Sequence, residues 1–346
     1  MLRSRRVLSR LAGRGGATHF TLSMTVTGMS TMRTAYPPTY PAPWKIVLAF
    51  AAIYLIWGST YLAIRFAIET LPPFSMAAVR FTVAGGILYA FARPRTDRPT
   101  RLNWVSAGIV GTLLLAGGNG GVVWAEQWVP SGIAALIVAT VGLWMVLFDW
   151  LFAGALRPSK LLMGGLVWGL CGVGLLMSST EVGAQSREGL LGGLAVLGAS
   201  VSWAAGSIYA RRAPLPRSPF LATAMEMIVG GLVLSLIAAM AGEGAQLDPS
   251  AFSIKSILAL AYLIVFGALI AFTAYIWLLS VSTPARVSTY AYVNPAVAVL
   301  LGWLLADERL DVRAALAVLI ILSAVVIVSL KGGDARRPGV LGQDTS

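Results

Sequence analysis

The sequence predicts an all-α polytopic membrane protein with ten transmembrane helices in two inverted five-helix repeats, and three observations predict it. Of its 346 residues 57% are hydrophobic and only 12% charged, with a mean hydropathy of +0.79, whereas soluble domains carry about 25% charged residues. The apolar residues gather into segments of the length a helix needs to cross about 30 Å of hydrocarbon. Landmarks of the first half of the chain recur in the second.

Short polar or Pro/Gly connections set off ten segments, at 45–66, 74–92, 103–124, 131–152, 160–179, 190–210, 219–241, 256–279, 285–306 and 314–330. Their orientation follows from charge, because cytoplasmic connections retain Lys and Arg. With both termini inside, the inner connections hold Arg93, Arg95, Arg98, Arg101, Arg157, Lys160, Arg211, Arg212, Arg217, Arg286, Lys331, Arg336 and Arg337, thirteen in all. The outer ones hold only four, Arg187, Lys255, Arg309 and Arg313, among seven acids. An even number of spans satisfies that split.

The net charge of +12 does not point to nucleic acid, because residues 1–43 alone carry six arginines and no acid. That stretch is expected to be an unstructured cytoplasmic tail, dispensable at least over 1–31. A transit peptide, or a true start at Met24, Met29 or Met32, are its alternatives, and its apolar part is too broken for a signal peptide. Residues 331–346 read as a second cytoplasmic tail.

Several chemistries are excluded. His19, in the tail, is the only histidine and Cys171 the only cysteine, so no His/Cys metal site and no Ser-His relay is expected in the membrane. None of Lys45, Lys160, Lys255 and Lys331 follows a glycine, which removes a phosphate-cradling GK[ST] loop. No cofactor is expected, and an embedded enzyme would be left with carboxylate chemistry around Glu226 alone.

A shift of 146 residues brings Trp57 onto Trp203, Arg65 onto Arg211, Pro73 onto Pro219, Phe74 onto Phe220 and Gly85 onto Gly231. A shift of 153 then brings Trp124 onto Trp277, Trp150 onto Trp303 and Leu151 onto Leu304. The extra seven residues fall in the connection at 242–255. Five spans per half is an odd number, so the second half, 190–330, sits inverted relative to the first, 44–179. Inverted repeats are an architecture of secondary transporters, which hold a site near the midplane and expose it alternately to each side.

The stretches WGSTYLAIRFAIETLPPF with MAAVRFTVAGGILY, GNGGVVWAEQWVPSGIAALI, and STPARVSTYAYVNPAVAVLLGWLLADERL resemble the EamA-type transporters of the drug/metabolite transporter superfamily, nearest to its YedA-like inner-membrane branch. The resemblance covers roughly 44–330. It implies ten spans in two inverted repeats, a bacterial inner-membrane location, and export or uptake of small metabolites such as amino acids, nucleosides or drugs. Two positions depart from the pattern. Gly142 stands where the fourth span of the family carries proline, while Pro295 is kept in the ninth. Ala155 stands where an acid follows the fourth span, while Asp307 and Glu308 are kept in the second half. A kink in the fourth span and a loop contact are therefore in doubt.

Trp57 and Trp203 fall near the middle of their spans, where tryptophan is unusual. With Gly58, Ser59, Thr60 and Tyr61 beside it, Trp57 reads either as a cavity wall or as close helix packing. Arg65 reads as a snorkelling side chain paired with Glu69 at i,i+4.

Arg80 and Glu226 occupy equivalent repeat positions, each about 10 Å into the membrane. Buried charges there need partners, so the two are expected to bridge near the midplane in at least one state, as a structural tie or as part of a site. Glu226 is the first candidate for proton coupling and Glu126 the second. Asn119, set among glycines, reads as site lining. Asn294 before Pro295 reads as a kink that frees a carbonyl. Tyr275, Tyr290, Tyr292 and Trp124 are candidate cavity aromatics, and Glu126 and Asp149 are otherwise interfacial acids.

The expected partners are a small-molecule solute and the lipid bilayer, with the protein a monomer or homodimer. A passive channel or a non-transporting receptor is the alternative that keeps the same ten spans.

Overall fold

The structure is a computed structural model that describes residues 42–153, 159–177, 186–282, 287, 290–307 and 312–332. Nearly all of the two expected tails, and the departure at Ala155, lie outside these residues. The described residues are helical, with no strand among them. In chain order the helices are α1 (Pro43–Ala67), α2 (Pro73–Ala92), α3 (Arg101–Ala125), α4 (Ser131–Phe152) and α5 (Lys160–Met177), then α6 (Arg187–Ala210), α7 (Pro219–Met240), α8 (Ile254–Leu278), α9 (Tyr290–Leu305) and α10 (Val312–Gly332). Seven of them, α1 to α4 and α6 to α8, are long and apolar enough to cross a membrane.

The helix starts are written in local chemistry. Proline opens α1, α2 and α7, where its missing N–H removes a donor that would have had no partner. Thr100 forms a capping box with Asn103 at α3, and Ser186, Ser218 and Ser253 cap α6, α7 and α8 through their hydroxyls. Along their lengths the helices are apolar on every side, as expected of spans surrounded by lipid and other helices. Leu55, Leu236, Leu258 and Leu319 are each more than 60% exposed, so the outer surface suits hydrocarbon and not water.

Packing follows a reciprocal pattern. α2 packs on α7, α4 on α9 and α5 on α10. α1 packs on α8 and α9 while α6 packs on α3 and α4, and α2 meets α8 while α7 meets α3. Exchanging α1–α5 for α6–α10 leaves these pairings unchanged.

Glycine makes the α2–α7–α3 seam possible. A Cβ on Gly85 would lie 2.8 Å from the Met227 Cβ and 2.9 Å from the Ile228 nitrogen, and one on Gly111 would clash with the Glu226 carbonyl oxygen.

Three helices depart from regularity. α3 widens into a π-helical stretch at Thr112–Gly120, and α8 does the same at Leu263–Ala271. α4 is interrupted at Ala139 and Thr140, so the break doubted for want of a proline is present. The Thr140 amide turns back to the Ile137 carbonyl at 3.0 Å, and its buried hydroxyl donates to the same oxygen at 2.7 Å. That local bond competes with the regular helical one.

Candidate functional site

A cavity lies among α1, α2, α3, α4, α6, α8 and α9, with about 870 Å³ of non-protein space including its mouth. Its wall takes Trp57, Thr60 and Tyr61 from α1, Arg80 from α2, Asn119 from α3, Trp203 from α6, and Tyr290 and Asn294 from α9. All eight are candidates that the sequence singles out. The irregular turns of α3 and α4 also reach it, through Gly118, Asn119 and Ala139.

The Trp-Gly-Ser-Thr cluster divides residue by residue. Gly58 serves packing: a Cβ there would stand 2.6 Å from the Val297 Cβ on α9. Ser59 turns to α8, its hydroxyl 2.6 Å from that of Tyr262. Thr60 donates back to the Trp57 carbonyl at 2.7 Å and presents its other face to the cavity. Trp57 lines the cavity with its ring and donates from Nε1 to the Gly267 carbonyl at 3.2 Å.

Trp57 is also the centre of an aromatic cluster. Its ring lies 5.0 Å from Tyr275, 5.3 Å from Tyr290 and 5.9 Å from Phe272, distances at which ring quadrupoles favour edge and tilted contacts. Trp203 lies against Gly118, and its side chain reaches the Tyr290 hydroxyl. The Asn294 side chain meets the carbonyls of Ile53, Tyr54 and Tyr290 at 3.1 to 3.3 Å, a set of acceptors that suits its amide nitrogen and not its oxygen. It therefore ties α9 to α1 as well as lining the cavity.

Arg80 is 3% exposed. Its Nη1 reaches Asn119 Oδ1 at 3.4 Å, and its guanidinium lies 4.8 Å from the Phe81 ring centroid. Glu126 is an electrostatic neighbour of both Arg80 and Tyr61.

The expected bridge between Arg80 and Glu226 is not made in this conformation. No hydrogen bond or ion pair joins them among the described residues. α2 and α7 run in opposite directions, since Glu243 just beyond the end of α7 binds the start of α2. Each residue sits about 10 Å in from its own helix start, which leaves roughly 10 Å between them along a 30 Å pair. Glu226 instead has Tyr275 as its electrostatic neighbour and stands outside the cavity wall.

Ser59, Trp124, Glu126 and Tyr275 also stand outside the wall. Trp124 packs edge-on against Trp128, with centroids 4.8 Å apart. Glu126 is fully buried, not an exposed interfacial acid. Tyr275 stands behind Trp57 in the aromatic cluster. Arg65 donates to the Glu126 backbone carbonyl at 2.7 Å, and Glu69 pairs with Lys255 at 2.6 Å, so those two do not pair with each other. Asp149 binds Arg211 at 2.8 Å. The side chain of Tyr292 lies outside the described set.

Two features escaped sequence reasoning. Ser200, Phe81, Leu115 and Phe272 line the cavity, yet each reads as an ordinary span residue. Glu243 reads as a loop acid but is buried, and accepts from the Phe74 and Ser75 amides at 2.9 and 2.6 Å. A negative charge on the first turn of α2 is favourable there. The Pro-Phe start of α2 was the available signal, since it exposes N–H groups that need an acceptor.

Lipid-facing helices around a shared cavity define a multi-pass membrane protein. The EamA-like transporter family model matches twice, over residues 44–178 and 190–330, and the chain belongs to that family. It is 43% identical over 284 residues to the uncharacterized inner membrane transporter YedA of Escherichia coli strain K12, covering 82% of this chain and 90% of that protein. It is 23% identical over 305 residues to the uncharacterized transporter YvbV of Bacillus subtilis strain 168, covering 86% and 95%. A protein solved by crystallography shares the fold with a TM-score of 0.57 at 23% identity, over 85% of this chain and 99% of its own. These similarities point to a non-enzymatic transporter of a small molecule in the bacterial inner membrane.

Proposed function

We propose that the protein is a secondary transporter that moves a small polar or amphiphilic organic solute, in the direction of export, by alternating access. In this reading α1 to α10 are ten spans, residues 44–179 and 190–330 are two inverted repeats, and both termini are cytoplasmic. The observation that carries it is the cavity, whose wall draws on α1–α4 and on α6, α8 and α9 alike. The reciprocal helix pairings and the two family matches support the repeats. A cavity held between two pseudo-equivalent units changes its exposure when one arrangement converts to its mirror.

Counterflow in proteoliposomes tests the function. A carrier accelerates labelled solute entry when unlabelled solute is inside. A channel gives no such trans-stimulation, and its absence across a metabolite panel would reject the carrier. Fusions of alkaline phosphatase and green fluorescent protein after residue 346 test the orientation. Fluorescence without phosphatase activity is the expected result, and strong phosphatase activity would reject it.

A further inference from the structure

Among the described residues, Arg80 is the only charged one in the cavity wall. A guanidinium has five N–H donors in a planar fork, and here few are used. Nε is buried and has no hydrogen-bond partner. Nη1 makes the single long contact to Asn119 Oδ1 at 3.4 Å. Nη2 lies over Gly267, so close that a Cβ there would come within 3.0 Å of it.

The ion pairs among the described residues, Arg211–Asp149 and Lys255–Glu69, leave Arg80 out. Leaving buried donors unmet is costly, and more so when they carry charge. Glu126 offsets the charge through space without lining the cavity. The field is thereby partly balanced while Nε is left without a hydrogen-bond partner.

Resting on the transporter reading above, we propose that the cavity takes a small organic monoanion, its carboxylate bound by the Arg80 fork and its flat apolar body against Trp57 and Tyr290. Carboxylate and guanidinium match in plane and spacing. The remaining wall is apolar and aromatic, with Asn119 beside the fork to orient a second polar group. Closure of the site on an oxyanion would satisfy Nε and Nη together, which no group does among the described residues. An uncharged or cationic solute of the same shape would leave those donors unmet, and the cation would also meet a like charge.

The test is binding of radiolabelled phenylacetate to the purified full-length protein in detergent, by scintillation proximity. 2-Phenylethanol, 2-phenylethylamine and phenylalanine serve as competitors. Phenylacetate is expected to bind and the alcohol and amine to compete poorly. Arg80→Gln should lower its affinity roughly 10- to 100-fold. Asn119→Asp keeps the arginine but places a carboxylate beside it, and should give a similar loss in a protein that still folds. Equal competition by the alcohol or the amine, undiminished binding in both variants, or binding of phenylalanine without phenylacetate would overturn the assignment. Counterflow of the bound acid is a separate readout: binding without exchange defeats the carrier reading and leaves the anion site standing, while exchange of other solutes without anion binding does the reverse.

Discussion

The indole nitrogen of Trp57 donates to the carbonyl of Gly267 at 3.2 Å, joining the middle of α1 to the widened turn of α8. α3 has a matching bond: Ser202 of α6 donates to the carbonyl of Leu113 at 2.7 Å, inside the stretch Thr112–Gly120. A π-helical turn puts carbonyls out of step with the amides that would normally take them. Each helix therefore receives a side-chain donor from across the bundle, and the irregular turns are held by the helices that also wall the cavity.

Removing either donor should cost one hydrogen bond to a carbonyl of a π-helical stretch. Trp57→Phe and Ser202→Ala are each expected to lower stability by about 0.5 to 1.5 kcal/mol, read as earlier unfolding in a denaturant titration of the detergent-solubilised protein. Ser59→Ala is a useful contrast, because the Ser59 hydroxyl meets the Tyr262 hydroxyl and the Ile56 carbonyl of its own regular helix, not a carbonyl of a widened turn. If Ser202→Ala unfolds like the native protein, the widened turn of α3 does not depend on that bond.

Neighbouring glycines of α2 should behave oppositely. A Cβ on Gly85 would press on the backbone of α7 at Ile228 and Ala224, whereas one on Gly86 meets nothing within 4 Å. Gly85→Ala is expected to cost about 1 to 3 kcal/mol by overpacking a contact that cannot yield locally. Gly86→Ala should be neutral or slightly stabilising, since alanine favours the helix. Thermal melts of the two variants side by side check this, and equal melts would mean that the α2–α7 seam is looser than the distances imply.

Glu243 and Lys255 separate a buried interaction from an exposed one at the same end of the bundle. Glu243 is 4% exposed and holds two amides of α2, so Glu243→Ala should cost roughly 1 to 2 kcal/mol, in the range of a lost helix cap. Lys255 and Glu69 have side chains 49% and 42% exposed, and Lys255→Ala should cost well under about 1 kcal/mol. Stability measured in low and high salt adds a check. A large, salt-sensitive loss from Lys255→Ala would reverse the ranking.

Helix positions were legible in the sequence because hydropathy, proline starts and serine caps act locally. The span expected at 74–92 is α2 at Pro73–Ala92, and that at 131–152 is α4 at Ser131–Phe152. The site was legible where a residue type is out of place in lipid. Trp57, Arg80, Asn119 and Trp203 stood out on that ground and all reach the cavity. Phe272 and Leu115 did not, because an apolar residue in a span looks alike whether it faces lipid, a helix or a cavity. Partner choice was the least legible. Arg65 and Glu69 satisfy the i,i+4 rule, yet each finds a partner brought close only by folding, the Glu126 carbonyl and Lys255. The π-helical turns had one weak sign, the glycines around Asn119, and none of comparable strength in α8.

The remaining prediction concerns the charges at Arg80 and Glu226. Both are buried at equivalent places on helices that pack together, which invites the idea of a pair, but in this conformation each keeps its own surroundings. Residues without shared partners usually contribute additively, within about 0.5 kcal/mol. A double-mutant cycle of Arg80→Gln with Glu226→Gln is therefore expected to show almost no coupling in an unfolding titration. The cycle of Arg80→Gln with Asn119→Ala should show coupling of the order of 0.5 to 1.5 kcal/mol, because the guanidinium and the amide are in contact. The comparison also bears on mechanism. If Arg80 and Glu226 meet in the opposite-facing state, locking the protein there with a tight ligand should raise their coupling above about 1 kcal/mol. Near-zero coupling in both conditions would remove the pair from the transport cycle and leave Glu226 as a packing element of the α7 seam.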